Sequence, residues 1–161
     1  MQRLQTLFWS VPLAALTGAC SQKPDAFCGA VEAVVVSSDE PVPFGSIANG
    51  VREDQLATGF RPPVGFEGAA GCTMGSSRDF HIFECLWMGT ADISAPGSSK
   101  IADRVEACLA PKGWTKTVTH GNDGVEARQF THVDERADVT VIYTGAAGIQ
   151  RDSLMVRRPV P

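Results

Sequence analysis

Four cysteines constrain the fold of this chain more than any other feature of its sequence: Cys28, Cys72, Cys85 and Cys108. In an oxidising compartment, an even number of cysteines in a small domain forms disulfide bonds. In a reducing compartment, the same residues more often bind a metal ion or act in catalysis. The compartment therefore decides between the two interpretations, and the N-terminal residues carry that information.

The N-terminal segment has the composition of a secretory signal. Arg3 is its only charged residue, a mostly apolar run extends from Leu7 to Leu16, and the small residues 17–19 follow. The apolar run is too short to span a bilayer comfortably. We therefore predict that the chain is exported and that residues 1–19 are a signal peptide outside the folded domain.

The signal is followed directly by Cys20, and the sequence LTGAC at residues 16–20 resembles the lipobox of bacterial lipoproteins. The resemblance covers only the first 20 residues. It implies that a diacylglyceryl group is attached to the sulfur of Cys20 and that the chain is cut just before this residue. By the sorting preference of the same family, Ser21 implies the outer membrane. The alternative is an ordinary signal peptide, cut near Ala19, that releases a soluble periplasmic protein.

Acylation of Cys20 places the domain on the periplasmic face of the bacterial cell envelope. Each buried CH₂ of an acyl chain contributes about 0.8 kcal/mol, so several chains anchor a protein durably without a membrane-spanning helix. On this interpretation residues 1–19 are the signal peptide, residues 20–25 are a lipid-attached tether and residues 26–161 form a single domain. The first expected partner is therefore the membrane, reached through the acyl chains.

The four cysteines that remain after Cys20 predict two disulfide bonds. Three pairings are possible from sequence alone, and we favour Cys72 with Cys85 and Cys28 with Cys108. Cys72 and Cys85 flank a turn-like stretch between two apolar runs, and opposed residues of a hairpin lie close together. Cys28 and Cys108 fall in two predicted helices that pack against one sheet.

Metal binding is the alternative role for these cysteines. The sequence has no C-x-x-C pair, and His81, His120 and His132 are scattered, whereas zinc ligands are usually closely spaced. The sequence also lacks a Gly-rich phosphate loop, so it predicts neither a metal nor a cofactor. Because the formal net charge is −4, the domain is poorly suited to neutralise phosphates, and we expect no nucleic-acid partner.

Two helices are predicted, one on each side of the central hairpin. Asp25 can cap a helix over residues 26–36, although the run of valines there also permits a strand. The second helix begins after Ser98 or Ser99, buries an apolar stripe and ends at Pro111.

The rest of the chain predicts antiparallel strands separated by Gly-, Asn- and Asp-rich turns. A hairpin precedes the second helix, and a β-meander follows it. The predicted strands are residues 72–74, 80–88, 114–120, 125–133, 138–144 and 149–158. Together the elements predict an α+β fold, in which two helices pack on one face of an antiparallel sheet stapled by disulfide bonds.

Residues 37–70 are rich in proline and glycine and lack a clear periodic pattern. We expect a short helix near residues 51–57 and irregular chain elsewhere. Phe44, Phe60 and Phe66 either fasten this segment to the core or contact a partner, because long ordered loops often carry binding sites. These three phenylalanines are the candidate partner-contact residues.

No catalytic constellation stands out in the sequence. A hydrolase elbow of the form G-x-S-x-G is absent, and no pair of carboxylates can be placed face to face. If a site is assembled from distant residues, the first suspects are His81, His132, Asp79 and Glu84. Surface or half-buried structural roles are the commoner fate of such residues, so we assign no catalytic residue.

The last strand carries three arginines, Arg151, Arg157 and Arg158. Charge on an edge strand deters unwanted pairing, and we favour this role over contact with an acidic polymer or lipid head group. Trp87 and Trp114 are expected to anchor the core rather than to form a ligand platform.

We expect a non-catalytic envelope lipoprotein that binds a protein or a cell-wall component. Its expected contact surfaces are the segment 37–70 and the open face of the sheet. A small periplasmic enzyme is the first alternative. The second alternative is an enzyme inhibitor, because a rigid, disulfide-held domain loses little entropy on binding.

Overall fold

The structure is a computed structural model that describes residues 25–48, 66–90, 99–146 and 149–161. The predicted signal peptide, Cys20, the predicted helix at 51–57 and Phe60 lie outside the described residues. The helices are α1 (Ala26–Ser38) and α2 (Lys100–Leu109), and the strands are β1 (Gly71–Ser76), β2 (Phe80–Thr90), β3 (Thr115–His120), β4 (Val125–Thr131), β5 (Asp138–Ala146) and β6 (Ile149–Pro159). Of the helices in this part of the chain, none is both long and apolar enough to cross a bilayer.

The six strands form one antiparallel sheet in the order β1-β2-β6-β5-β4-β3. The predicted α+β class is therefore confirmed. The order of strands in the sheet differs from their order in the chain at one place. The last strand, β6, lies between the β1–β2 hairpin and the meander formed by β3, β4 and β5. β2 and β6 are each 11 residues long and pair along their whole length.

The central position of β6 corrects the interpretation of its three arginines. β6 pairs with β2 on one side and with β5 on the other, so Arg151, Arg157 and Arg158 do not protect a sheet edge. Arg157 instead contacts Asp138 on the neighbouring strand, with Nε and Oδ1 3.0 Å apart. The error arose because a C-terminal strand is easily assigned to an edge when the residues that it pairs with lie 59 to 79 positions earlier in the chain.

Both helices begin at the predicted capping residues. The Phe27 N–H donates to the Asp25 carboxylate at 2.9 Å, and the Ala102 N–H donates to the Ser99 hydroxyl at 2.9 Å. Each cap satisfies an N–H group that the first helical turn leaves unpaired. The first segment is thus a helix, which excludes the strand alternative there. Gly113, at φ +85°, closes the turn that follows α2.

The two helices run in the same direction across one face of the sheet and are joined along their length. The Cys28–Cys108 disulfide links the first turn of α1 to the last turn of α2. Glu32, in the middle of α1, pairs with Lys112 just beyond the end of α2 at 2.7 Å. The second disulfide, Cys72–Cys85, joins opposed residues of β1 and β2. These are the two pairings that the sequence analysis favoured.

The core lies between the helices and the face of the sheet that they cover, which we call the covered face. Side chains on this face alternate with those on the opposite, open face, as the strand period requires. The fully buried residues of the covered face include Phe83, Phe130, Val139, Val141, Leu154 and Val156.

Phe44 and Phe66 belong to this core. Phe44 lies 6.1 Å from Phe83 between ring centroids, and Phe66 lies 5.2 Å from Phe27 and 5.8 Å from Trp87. Both phenylalanines are buried, so neither is available as the partner contact considered above. Hydrophobic burial explains the correction, because the described parts of segment 37–70 fold over the aromatic side chains of α1 and β2.

Candidate ligand-binding cleft

A cleft of about 410 Å³ opens at the end of the sheet where α1 and β6 terminate. Its polar lining comes from three regions of the chain that are distant in sequence, and proline and valine side chains form the rest of its wall. The lining residues are Asp39, Glu40, Pro41, Pro43, His81, Arg136, Arg158, Pro159, Val160 and Pro161. We call this site the C-terminal cleft.

Strand register places two of the basic side chains together. His81 on β2 is the cross-strand partner of Arg158 on β6, and both lie on the covered face. Both residues are buried, because the chain after α1 covers this end of the sheet. Arg136 comes from the turn between β4 and β5 and is exposed at the rim. The cleft therefore combines two fixed basic groups with one accessible basic group.

Arg158 is held by Asp39, the residue that ends α1. Its Nη1 lies 3.1 Å from Asp39 Oδ1, and only 11 % of the Arg158 side chain is exposed. A guanidinium carries five N–H donors in a planar fork, so one carboxylate does not exhaust its capacity. Since Arg158 also lines the cleft, it can orient a carboxylate or another anion that enters from solvent.

Asp39 lies between Arg158 and a second acid, Glu135. Burial raises the pKa of Glu135 above its ordinary value, and so do a hydrogen bond with Asp39 and the negative charges of Asp39 and Asp134, while His132 opposes the shift. Two carboxyl groups in hydrogen-bonding range ionise together only at a cost. Asp39 thus contacts a fixed cation, Arg158, in the cleft and an acid with a raised pKa, Glu135, beside it.

His81 has one hydrogen-bond partner on β1. Its Nδ1 lies 3.0 Å from Ser76 Oγ, and the two residues are opposed in the β1–β2 register. This is the spacing of a serine and an adjacent base. Among the described residues, however, no carboxylate lies within 4.0 Å of an imidazole nitrogen of His81, so this part of the chain supplies no third group to orient the ring.

The structure does not bring together the four residues suspected from the sequence. His81 faces the covered side of β2, whereas Glu84 faces the open side, where it accepts a hydrogen bond from Ser153 at 2.6 Å. His132 lies against Trp114, with ring centroids 5.6 Å apart and the ring planes tilted by 40°. Asp79 occupies the β1–β2 turn. Of these four residues, only His81 lines the C-terminal cleft.

Sequence reasoning missed most of the residues that form the cleft. Asp39, Arg136 and Arg158 lie in three separate segments, and no local motif connects them. The one available signal was the pair of arginines at the end of the last strand, which we interpreted as edge protection. Trp87 is in the core, as expected, and Trp114 is half-buried against it.

The open face carries a second, shallower concavity of about 210 Å³. Short polar and aliphatic side chains line it: Glu84, Ile142, Thr144, Arg151, Ser153 and Met155. Glu84 accepts a hydrogen bond from Ser153 there. This concavity is smaller and has one basic group, whereas three basic groups line the C-terminal cleft, so the cleft is the stronger candidate for recognition of an anionic ligand.

The described residues contain no group of three or more histidine, cysteine or acidic side chains arranged to hold a metal ion. Comparisons of the chain with protein-family models, with curated proteins and with solved structures find no match.

Proposed function

We propose that this chain is a bacterial envelope lipoprotein whose domain binds a protein or cell-wall partner without acting on it chemically. Acyl chains on Cys20 anchor it, in the outer membrane by the sorting preference of lipoproteins. The signal-like N-terminus and the LTGAC sequence support the anchoring. The two disulfide bonds are consistent with an extracytoplasmic location, where thiols become oxidised.

The observation that carries the binding proposal is the C-terminal cleft, a concave site with convergent polar groups. A tether over residues 20–25 reaches at most about 20 Å, and it joins the domain where α1 begins. The cleft lies at the opposite end of α1, which has 13 residues and is therefore about 20 Å long. The anchor and the cleft thus use different parts of the domain, so binding and anchoring are compatible.

The chemistry of the cleft favours a partner that presents a carboxylate. Arg136 and Arg158 offer planar forks that match carboxylate geometry, and His81 lies beside them. Proline side chains form rigid apolar walls around these groups. An acidic segment of a protein, or a carboxylate-bearing peptide of the cell wall, satisfies both features.

Replacement of the acylated residue tests the anchoring. We expect the native chain to sediment with membranes and to carry acyl groups by mass spectrometry. The variant Cys20→Ser should lose the acyl groups and should accumulate either uncut or in the soluble periplasmic fraction. Equal membrane retention and identical processing of both chains would contradict the proposal.

A matched pair of arginine variants tests the cleft. Chemical cross-linking in intact cells, followed by affinity purification of the full chain, should capture a partner that Arg136→Ala loses. Arg151→Ala removes an exposed arginine that does not line the C-terminal cleft, and it should retain the partner. Capture that is equally strong with both variants would exclude Arg136 as a binding residue.

The Ser76–His81 contact supports a second candidate function, that of a small periplasmic hydrolase. In that case a fluorophosphonate probe should label Ser76 in the native chain, and His81→Gln should abolish the labelling. The binding proposal predicts no labelling of Ser76 above that of the denatured chain.

A further inference from the structure

β3 is an exposed edge of the sheet. Among the strands that the structure describes, β4 is the one that pairs with it, and all six residues of β3 are exposed. The register with β4 is continuous from Thr115 to His120, without a bulge, and the strand contains no proline. Bulges and prolines are common devices that keep an edge from pairing with another strand. Only the charge of Lys116 serves that purpose here.

The hairpin geometry shows which backbone groups of β3 face outward. The Gly121 N–H donates to the Val125 carbonyl at 2.8 Å, where the chain enters β4. Antiparallel pairs alternate between bonded and non-bonded residues, so Thr119, Thr117 and Thr115 direct their N–H and C=O groups toward β4. The N–H and C=O groups of the alternate residues, Lys116, Val118 and His120, therefore point away from the sheet.

We infer that β3 is the interface for a second copy of this chain, paired antiparallel about a two-fold axis at Val118. In this register Val118 lies opposite its own copy, and Lys116 lies opposite His120. Each pair consists of two outward-facing residues that exchange both hydrogen bonds, which gives about six bonds across the junction. The outward groups of β3 are thus complementary to themselves, as a two-fold interface requires.

The side chains are compatible with the same register. On the covered side, Val118 is 39 % exposed and gains an apolar contact with its copy. Lys116 and His120 approach each other, but each has a carboxylate of its own: Lys116 Nζ lies 2.5 Å from Glu106, and His120 Nδ1 lies 3.9 Å from Glu126. On the open side, Thr117 meets Thr119, and such cross-strand threonine pairs are favourable.

The interface is small, so the pairing is weak in dilute solution. Two edges of six residues bury less than the roughly 1,200 Å² that stable interfaces usually bury. Confinement to a membrane raises the effective concentration of one copy for another and compensates for a weak contact. A two-fold axis perpendicular to the sheet keeps both helix layers on one side, so both tethers can reach one membrane. This compensation depends on the proposed anchoring, whereas the register does not.

Cysteine scanning in the full chain tests the register. Opposed residues of a bonded antiparallel pair lie about 5.5 Å apart between Cα atoms, within the range of a disulfide. V118C should therefore form a covalent dimer on a non-reducing gel of membranes. K116C is the matched control, because its own copy lies about 13 Å away in this register. Equal dimer yields from V118C and K116C would overturn the proposal.

A proline variant separates pairing from folding. Val118→Pro removes an outward N–H that bonds none of the described residues, so the fold should persist while the dimer is lost. Val118→Thr keeps the N–H and should keep the dimer, as measured by sedimentation of the full chain in detergent at high concentration. A dimer that survives Val118→Pro would contradict the interface.

Fractionation of the same cells shows whether the chain is membrane-anchored, so failure of the dimer can be distinguished from failure of the anchoring. If the chain is anchored and V118C yields no more dimer than K116C, the pairing fails and the proposed function stands. If the chain is not anchored, concentrated C20S/V118C protein should still cross-link, and failure to do so overturns the pairing as well.

Discussion

The two edges of the sheet are built in opposite ways. β1 is joined covalently to β2 by the Cys72–Cys85 disulfide, and Cys72 and Met74 are buried in the hydrophobic core. β3 has no disulfide and no buried residue. Within the part of the chain that the structure describes, its polar contacts include backbone hydrogen bonds to β4, the Lys116–Glu106 ion pair and the contact of His120 with Glu126.

Because of this difference, we expect the side of the sheet around β1 to determine the stability of the fold and the β3 edge to determine association with another chain. Covalent links and aromatic packing concentrate around α1, β1 and β2, whereas ion pairs support the region around β3 and β4. An edge that contributes little to the core can pair with another chain without unfolding its own domain. We therefore expect substitutions near β1 to change stability and substitutions near β3 to change assembly.

Removal of the disulfides gives the largest expected effect. The double variant C28A/C108A opens a loop that spans 80 residues, and we expect it to lose about 4.5 kcal/mol of unfolding free energy. C72A/C85A opens a loop that spans 13 residues and should lose about 3 kcal/mol. Guanidinium unfolding followed by tryptophan fluorescence measures both values. Losses below about 1 kcal/mol would show that the disulfides do not stabilise the fold.

Truncation of core and edge side chains sharpens the contrast next. Phe83 is completely buried on β2, and Phe83→Ala should cost about 4 kcal/mol through lost burial and cavity formation. Val118→Ala on β3 should change the stability by less than about 0.5 kcal/mol. The same unfolding assay compares them. Similar costs at the two positions would refute the division between the two edges.

The ion pairs near β3 are expected to contribute less. Arg128 on β4 bonds Glu126 and Asp103, each at 2.6 Å, and its side chain is only 13 % exposed. Arg128→Ala leaves the half-buried Glu126 with only the more distant His120, 3.9 Å away, and should cost about 2 kcal/mol. Lys116→Ala removes a more exposed pair and should cost less than about 1 kcal/mol. If Lys116→Ala proves the costlier change, the buried network around Arg128 is not what supports this edge.

The smallest expected effect is a dependence on pH near the cleft. Because burial and Asp39 raise the pKa of Glu135, the folded state binds a proton more tightly there than the unfolded state does. The resulting contribution is fully present below the ordinary pKa of a glutamate and is lost as the pH rises through the raised value. Glu135→Gln should remove this dependence, so its stability relative to the native chain should be higher at pH 7 than at pH 4. If the difference in unfolding free energy between Glu135→Gln and the native chain is the same at pH 4 and pH 7, the raised pKa of Glu135 is contradicted.

Local patterns in the sequence predicted the elements well. Asp25 and Ser99 identified both helix starts, because a capping side chain acts within its own turn. The disulfide pairing also followed from local structure, since a short turn opposes Cys72 and Cys85 and leaves only one other pair.

Long-range features were not predictable in the same way. Insertion of β6 between β2 and β5 depends on pairing between strands far apart in sequence, which no local pattern records. The C-terminal cleft was missed for the same reason, because register brings His81 beside Arg158. Phe44 and Phe66 were uncertain because an isolated aromatic residue in a Gly- and Pro-rich segment suits a core contact and a partner contact equally.

We propose that this chain is exported, acylated and oxidised, and the intact mass of the protein extracted from membranes is the sharpest test. We expect a chain that begins at Cys20, carries the added mass of its acyl groups, and gains about four hydrogen masses on reduction of two disulfides. An unmodified chain of full length, with four free thiols after Cys20, would contradict it.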